Sequence, residues 1–235
     1  MKNIEVCLTP DLISHFDLNE KVVVAIDIFR ATSCMTTALA NGVEAIIPVA
    51  TVEECKALQE KGYLAAAERD GKKVEGFDLD NSPFSYLNPE LEGKTLAMTT
   101  SNGTLVISKS KETAYKVVIG SFLNKTSVVQ FLIKEQKDVV LFCAGWKGNV
   151  NLEDTFFAGA LLNDLLHDFK YSNDSCALAR SVYHLGKNAP KRFLMDSSHF
   201  NRLKKLGHEA DMDFCLSIDN YQILPVLVGD RLVVE

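Results

Sequence analysis

The sequence lacks the features of several broad classes of protein. No apolar run among its 235 residues approaches the length of about 18 that a membrane helix needs, so we expect no membrane partner. Positive charge is scarce: 25 Lys and Arg face 31 Asp and Glu, and a net charge of -6 has the wrong sign for binding nucleic-acid phosphates. The six cysteines form no C-x-x-C pair, which argues against disulfides and structural zinc and predicts buried free thiols.

Local motifs of large enzyme classes are missing as well. The chain contains no G-x-G-x-x-G, no G-x-x-x-x-G-K-[ST], no G-x-S-x-G and no H-E-x-x-H. Its first residues, MKNIEVCLTPDLISHF, place acidic and histidine side chains before any useful apolar run, unlike a signal or transit peptide. We therefore expect a cytoplasmic protein.

Short apolar segments separated by helical signals predict an α/β fold. Strands are predicted at 21–26, 45–49, 63–67, 95–98, 117–119 and 139–142. Helices are predicted at 32–40, after a capping box that begins at Thr51, and at 175–185, and a hairpin is predicted at 226–233. The alternation of strand and helix favours a mainly parallel sheet with helices on both faces. No long linker divides the chain, so we expect one domain over 1–235.

A weak internal repeat appears when the chain is shifted by about 72 residues. The shift lays VVVAIDIFRAT over TLAMTTSNGT and IIPVATVEECKAL over VVIGSFLNKTSVVQF. Pseudo-repeats of about 21–92 and 93–170 would leave 171–235 as a separate C-terminal part. Few positions are identical and any two β/α stretches align nearly this well, so duplication and coincidence both stay open.

Polar segments follow several predicted strands, where open α/β sheets bind their ligands. Asp27 directly follows VVVAI and can hold a hard cation, and a helix opening at Thr32 beside Arg30 offers N–H groups to an anion. The alternative is a capping aspartate with an exposed arginine. The segment 99–104 packs four hydroxyls, an amide and a glycine together, which suits phosphate oxygens but also a plain helix cap. Ser121 begins a lesser version of the same pattern.

Further carboxylates follow other predicted strands or open a helix. Glu68 stands beside Arg69, Asp78 lies in the next loop, and Glu153 and Asp154 begin a helix, where acidic residues also serve as partners of the helix dipole. The five histidines show no ligand spacing, and we interpret them as solvent-facing or structural, with His199 the one to watch. Six basic C-terminal residues are interpreted as a solvated surface: Lys187, Lys191, Arg192, Arg202, Lys204 and Lys205.

Six ordered motifs resemble those of the 2-phosphosulfolactate phosphatase family. They are DIFRAT at 27–32, GFDLDNSP at 76–83, TSNGT at 100–104, GSF at 120–122, CAG at 143–145 and LED at 152–154. The resemblance implies a three-layer α/β/α fold of intertwined halves. It also implies a Mg²⁺-dependent hydrolysis of 2-phospho-3-sulfolactate to 3-sulfolactate and phosphate, a step toward coenzyme M.

Site residues follow from these matches and, for Glu68 and Arg69, from their place after a predicted strand. The catalytic carboxylates would be Asp27, Glu68, Asp78, Glu153 and Asp154, of which Asp27, Glu68, Asp78 and Asp154 would bind the metal. The substrate would contact Arg30, Thr32, Arg69, Asn81, Ser82, Thr100, Ser101, Asn102, Gly103, Thr104 and Ser121. Because the substrate is strongly anionic, Arg30 would be joined by one or two of Arg69, Lys72, Lys73 and Lys147.

The sequence leaves several alternatives open. Any of the carboxylates could be the general base, or could form a phosphoenzyme. The substrate could be another phosphorylated 2-hydroxy acid, or the protein could bind small anions without turnover. The partner we expect is a small anionic phosphorylated molecule, and a homodimer is compatible with the sequence.

Overall fold

Eleven strands form one sheet in residues 1–69 and 71–235, the part of the chain that the computed structural model describes. The strands are β1 (Lys2–Cys7), β2 (Val22–Ile26), β3 (Ala45–Pro48), β4 (Leu64–Arg69), β5 (Lys72–Lys73), β6 (Thr95–Thr99), β7 (Lys116–Gly120), β8 (Val139–Cys143), β9 (Phe169–Tyr171), β10 (Pro225–Val228) and β11 (Arg231–Val234). The predicted strands and the predicted C-terminal hairpin are present, within one or two residues of their expected ends.

Nine α-helices accompany the sheet in the described residues. They are α1 (Ala31–Ala40), α2 (Val52–Gln59), α3 (Gly103–Ser110), α4 (Lys125–Glu135), α5 (Leu152–Asp164), α6 (Asp174–Gly186), α7 (Pro190–Leu194), α8 (Ser198–Lys205) and α9 (Glu209–Cys215). Short 3-10 turns lie at Pro10–His15, Pro83–Leu87, Pro89–Leu91 and Phe122–Asn124. The predicted cap of α2 is formed, because the Glu54 N–H donates to Thr51 Oγ1 over 3.1 Å. No described helix has both the length and the apolar character to cross a bilayer.

The sheet consists of two parallel halves joined by the C-terminal hairpin. The strand order is β5-β4-β6-β3-β11-β10-β7-β2-β8-β1-β9. Strands β4, β6 and β3 are parallel, and so are β7, β2, β8, β1 and β9. The hairpin pairs antiparallel with β7 on one side and with β3 on the other, so the two halves run in opposite directions.

Two consecutive βαβαβ units of the chain exchange strands in the sheet. The chain passes through β2-α1-β3-α2-β4 and then through β6-α3-β7-α4-β8. In the sheet, β6 lies between β3 and β4, while β2 lies between β7 and β8. The first strand of each βαβαβ unit therefore lies between the second and third strands of the other unit. Two intertwined copies of one ancestral unit would have this strand order.

Helices cover both faces of the sheet, as predicted. Val24 and Ile26 of β2 join the core under α5, whereas Val23 and Ala25 face the core that contains α1 and α3. That second core also contains Ile46 of β3 and other residues of the first half, so α1 and α3 pack against both halves. Helix α2 covers a third, smaller core. The predicted three-layer α/β/α architecture is confirmed. The six cysteines are buried free thiols, also as predicted.

Candidate active site

A small cleft collects polar side chains from separate parts of the chain. Its lining residues are Asp27 and Phe29 after β2, Glu68 of β4, Asn81, Thr100, Ser101 and Asn102 after β6, Trp146 and Lys147 after β8, and His199 and Arg202 of α8. The halves of the sheet run in opposite directions, so these residues do not share one edge of a single parallel sheet. The cleft forms instead where α1 and α3 begin.

The first turns of α1 and α3 meet beside the Asp27 side chain. A Cβ on Gly103 would lie 2.6 Å from the Ala31 Cβ and 2.9 Å from Asp27 Oδ2, so only glycine permits this approach. The Thr32 N–H donates to the Asp27 carbonyl over 2.9 Å, and the Thr104 N–H donates to Thr100 Oγ1 over 3.2 Å. The positive ends of two helix dipoles therefore face the cleft.

Asp27 is a buried carboxyl group in an acidic setting. Only 8% of the residue is exposed. Burial raises the pKa of Asp27 to about 6; Glu153 and Glu68 add to the rise, while His199 and the Ala31 N–H oppose it. A carboxylate with this pKa exchanges a proton near neutral pH and gains from any cation placed beside it.

Glu153 and His199 form a buried pair behind the cleft. His199 Nδ1 lies 2.5 Å from Glu153 Oε1, and Glu153 is fully buried. The second oxygen, Glu153 Oε2, has no hydrogen-bond partner among the described residues. The His199 ring stacks on Trp146 at 6.0 Å between centroids and 12° between planes. An ionised Glu153 accepts from Nδ1–H, so the ring is fixed and its reactive nitrogen is Nε2.

Asp154 joins two loops beneath the cleft instead of lining it. Its Oδ1 accepts from the Ile28 N–H over 3.0 Å, and its Oδ2 accepts from the Gly145 N–H at 3.2 Å and Asn151 Nδ2 at 3.0 Å. Burial raises the pKa of Asp154 well above its usual range, and the nearby Asp27 and Glu153 raise it further. With both oxygens engaged, Asp154 is a positioning residue for the loops after β2 and β8.

Arg30 is also turned away from the cleft. It is buried in an ion pair with Asp211 of α9. The other oxygen of Asp211 accepts from Ser82 Oγ over 2.9 Å, and His208 Nδ1 lies 3.3 Å from Asp211 Oδ2. Arg30 and Ser82 therefore anchor α9 beneath the loops of the cleft, and neither is among the lining residues.

The remaining predicted residues divide into two groups. Asn81, Ser101 and Asn102 line the cleft with Thr100, and Gly103 and Thr104 begin α3 beside it. The others lie outside the lining. Asp78 Oδ2 accepts from the Ala65 N–H and from Gln59, and the Arg69 guanidinium donates to the Glu68 carbonyl and to Thr99. Thr32 Oγ1 accepts from the Asp27 N–H, and Ser121 bonds to Thr36 and Asn124.

Sequence reasoning missed part of the cleft. The sequence predicts neither Phe29 nor Trp146 as a lining residue, and it predicts Lys147 only as one of several possible cations for the substrate. Arg202 was interpreted as part of a solvated basic surface, but it is half-buried with its guanidinium carbon 5.3 Å from the Trp146 ring. The one signal available was the lone tryptophan between a glycine and a lysine after a strand.

The oxygen atoms of the cleft fit a hard cation. Among residues 1–69 and 71–235, no group of three or more His, Cys, Asp or Glu side chains is arranged to hold a metal by itself. However, Asp27 and Glu68 line the same cleft as Asn81, whose Oδ1 is buried without a hydrogen-bond partner in the described chain. Mg²⁺ needs only one or two carboxylates, with waters and substrate phosphate completing its shell.

An α/β fold with an acidic cleft at two helix starts, edged by Lys147 and Arg202, suits a protein that binds a small anion beside a cation. Comparison with known proteins then identifies the family. The model of the family described as 2-phosphosulpholactate phosphatase matches residues 7–230. The chain belongs to this family and is a phosphoric monoester hydrolase. The family membership predicted from the six motifs is confirmed.

Similar proteins cover nearly the whole chain. A probable 2-phosphosulfolactate phosphatase of Caldanaerobacter subterraneus subsp. tengcongensis is 40% identical over 225 residues, 93% of this chain and 92% of the relative. A protein of Thermotoga maritima with the same name is 37% identical over 215 residues, 92% of each chain. Another from Clostridium beijerinckii is 35% identical over 238 residues, 99% of each chain.

Proposed function

We propose that this enzyme hydrolyses 2-phospho-3-sulfolactate to 3-sulfolactate and inorganic phosphate, with Mg²⁺ as its cofactor. The names of the relatives support the substrate. The observation that carries the proposal is the cleft itself, in which Asp27, Glu68 and the start of α3 lie beside two cationic side chains. A molecule with several negative charges needs such positive groups on a protein whose net charge is -6.

The metal would be held by Asp27 and Glu68, with the amide oxygen of Asn81. These are oxygen donors of the type that Mg²⁺ prefers. When bound, the ion would polarise the phosphoryl group and offset its charge. A positive ion would also relieve the repulsion among Asp27, Glu68 and Glu153 that raises the pKa of Asp27.

The start of α3 would bind the phosphoryl oxygens. Thr100, Ser101 and Asn102 line the cleft just before the helix, and the dipole of α3 has its positive end there. Hydroxyl, amide and backbone donors at a helix N-terminus together form a site for a tetrahedral anion. Thr104 holds this turn in shape through three hydrogen bonds with Thr100.

His199 would supply the proton that the leaving group needs. Hydrolysis joins a water oxygen to phosphorus and breaks the bond between phosphorus and the C2 oxygen of the substrate. That oxygen leaves as the alkoxide of a poorly acidic alcohol, so proton donation from His199 Nε2 lowers the barrier. Glu153 orients the ring and stabilises its positive charge before the transfer.

Phosphate release from a panel of substrates tests the proposal. We expect kcat/KM to be highest for 2-phospho-3-sulfolactate, lower for 2-phospholactate and lower still for phosphoglycolate. Excess EDTA should abolish turnover, and added Mg²⁺ should restore it. A preference for 2-phospholactate would contradict the substrate, and full turnover in EDTA would contradict the metal.

A further inference from the structure

The cationic side chains of the cleft take no part in the bond-breaking step described above, and the group of the substrate that each would bind has not been specified. Trp146, Lys147 and Arg202 line it together with His199. We propose that Trp146, Lys147 and Arg202 form a subsite that binds the sulfonate group of the substrate and so selects sulfonated phosphate esters over unsulfonated ones. This inference rests on the proposed function and specifies which part of the substrate the three residues recognise.

Two cations share one aromatic ring in this subsite. Lys147 Nζ lies 5.2 Å from the centre of the Trp146 indole, and Arg202 Cζ lies 5.3 Å from the same centre. Neither cation is within 4.0 Å of an acidic group in the described chain. Two positive groups held near one ring repel each other, and an anion bound within reach of both offsets that repulsion.

The loop that carries Trp146 and Lys147 is held in one conformation. Trp146 and Asn149 exchange two backbone hydrogen bonds, of 2.8 and 3.0 Å. Thr9 Oγ1 donates to the Gly148 carbonyl over 2.8 Å, and Gly148 has a φ of +77° that disfavours other residues. The His199 ring also stacks on the indole. The loop and the indole are therefore preorganised, which lowers the entropic cost of binding.

The chemistry of a sulfonate matches these residues better than it matches the rest of the cleft. A sulfonate is ionised at every physiological pH and presents three oxygens, so carboxylates such as Asp27 and Glu68 repel it. The guanidinium of Arg202 offers paired N–H donors, and the Lys147 ammonium adds a mobile point charge. The start of α3 would bind the phosphoryl group. The phosphoryl and sulfonate groups of the substrate would therefore occupy different parts of the cleft.

Substrate kinetics test the selectivity. Lys147→Gln and Arg202→Gln should each raise KM for 2-phospho-3-sulfolactate by about 10- to 100-fold, the range for losing a charged hydrogen bond, with a smaller change in kcat. For 2-phospholactate, which has no sulfonate, KM of each variant should differ from KM of the parent by less than about threefold. Lys109→Ala and Arg192→Ala, at exposed positions outside the cleft, are matched controls with parental kinetics. Equal increases in KM for both substrates would overturn the proposal.

Direct binding separates this inference from the proposed function. Trp146 is the sole tryptophan of the chain, so its fluorescence reports on the subsite. Titration of the metal-free enzyme with 3-sulfolactate should give a saturable change, and the dissociation constant should rise at least tenfold in either glutamine variant. L-lactate should give no such change. This titration tests the subsite even if the enzyme does not hydrolyse 2-phospho-3-sulfolactate. The sulfonate subsite would be refuted if 3-sulfolactate left the Trp146 fluorescence unchanged, or if lactate changed it equally.

Discussion

At the scale of single residues, the cleft retains buried acidic groups that are costly for the folded state. Asp27 is nearly inaccessible, and Glu153 is fully buried with one oxygen lacking a partner among the described residues. Burying a carboxylate without full compensation destabilises a fold. We infer that these carboxyl groups lower the free energy of unfolding and are retained because they bind a cation and the substrate. Unfolding measurements can detect this loss of stability.

The Asp27→Asn variant should be more stable than the parent at pH 7.5 in EDTA, by about 1–3 kcal/mol. The pKa of Asp27 is raised from its ordinary value of 3.8 to about 6, so between these values the folded state binds more protons than the unfolded state. Stability from this group is therefore lost as pH rises from about 4 to about 6 and stays constant above. Urea unfolding of both proteins at pH 5.0, 6.0 and 7.5 measures the difference.

The gap between the two proteins should be smaller at pH 5.0 than at pH 7.5. The variant should also lose most of its activity, because an amide is a weaker metal ligand. A constant gap across pH would show that Asp27 is not the group that titrates.

His199→Asn should lower kcat for 2-phospho-3-sulfolactate by about 10²- to 10⁴-fold, the usual range for a lost general acid, with KM nearly unchanged. A substrate with a good leaving group, such as 4-nitrophenyl phosphate, should lose much less. Glu153→Gln should give a smaller loss, because it removes the charge that orients the ring. His167→Asn, at an exposed histidine, is the control. Equal losses for both substrates would assign His199 to binding instead.

At the scale of secondary-structure elements, the cleft depends on close contacts between helix ends and loops. The starts of α1 and α3 meet through Gly103, and Asp154 joins the loop after β2 to the loop after β8. Because these contacts connect distant parts of the chain, small displacements of one element should move several lining residues at once.

Gly103→Ala should destabilise the protein by about 1–3 kcal/mol and lower kcat/KM, because its Cβ would clash with Ala31 and Asp27. The double variant Ala31→Gly/Gly103→Ala should recover part of the stability, since it removes the closer contact. Ser108→Ala on the exposed side of α3 is the control. Urea unfolding and phosphate release measure both effects. Strict additivity of the two substitutions would contradict the contact.

Asp154→Ala should destabilise the fold by about 3 kcal/mol, because three buried donors lose their acceptor. Asp154→Asn retains part of the network and should cost less. If Asp154 were a metal ligand, both variants would shift the Mg²⁺ dependence of activity. We expect the concentration of Mg²⁺ for half-maximal rate to stay close to that of the parent in Asp154→Asn, because its contacts are to backbone N–H groups and Asn151.

At the scale of the whole molecule, the C-terminal hairpin lies in the middle of the sheet and connects its halves. β10 pairs with β7 through Val226 and Val118, and β11 pairs with β3 through Leu232 and Ile46. Leu232 is fully buried. A chain terminated after residue 224 should therefore fail to fold, as circular dichroism and unfolding would report. A chain terminated after residue 234 is the control, and a cooperative transition in the short form would contradict this role.

The sequence allowed the local parts of the fold to be predicted, because continuous apolar segments such as VVVAI mark buried strands without tertiary information. It did not indicate β1 or β9, whose residues are partly exposed and lie near the edge of the sheet. In the cleft, Asp27 and Thr100 could be found because polar residues follow apolar strands. The pairs Arg30–Asp211 and Glu153–His199 could not, since they join residues far apart in sequence.

The exchange of strands between the two units bears on how the protein is made. As the nascent chain leaves the ribosome, β2 must wait for β7 and β8, its neighbours in the sheet, and β3 and β4 must wait for β6. Neither unit can close before the other has been synthesised, and the hairpin that unites them comes last of all. The two groups of parallel strands should thus be joined into one sheet only late in synthesis or after release, and until then the edges of β3 and β7 stay open to chaperones.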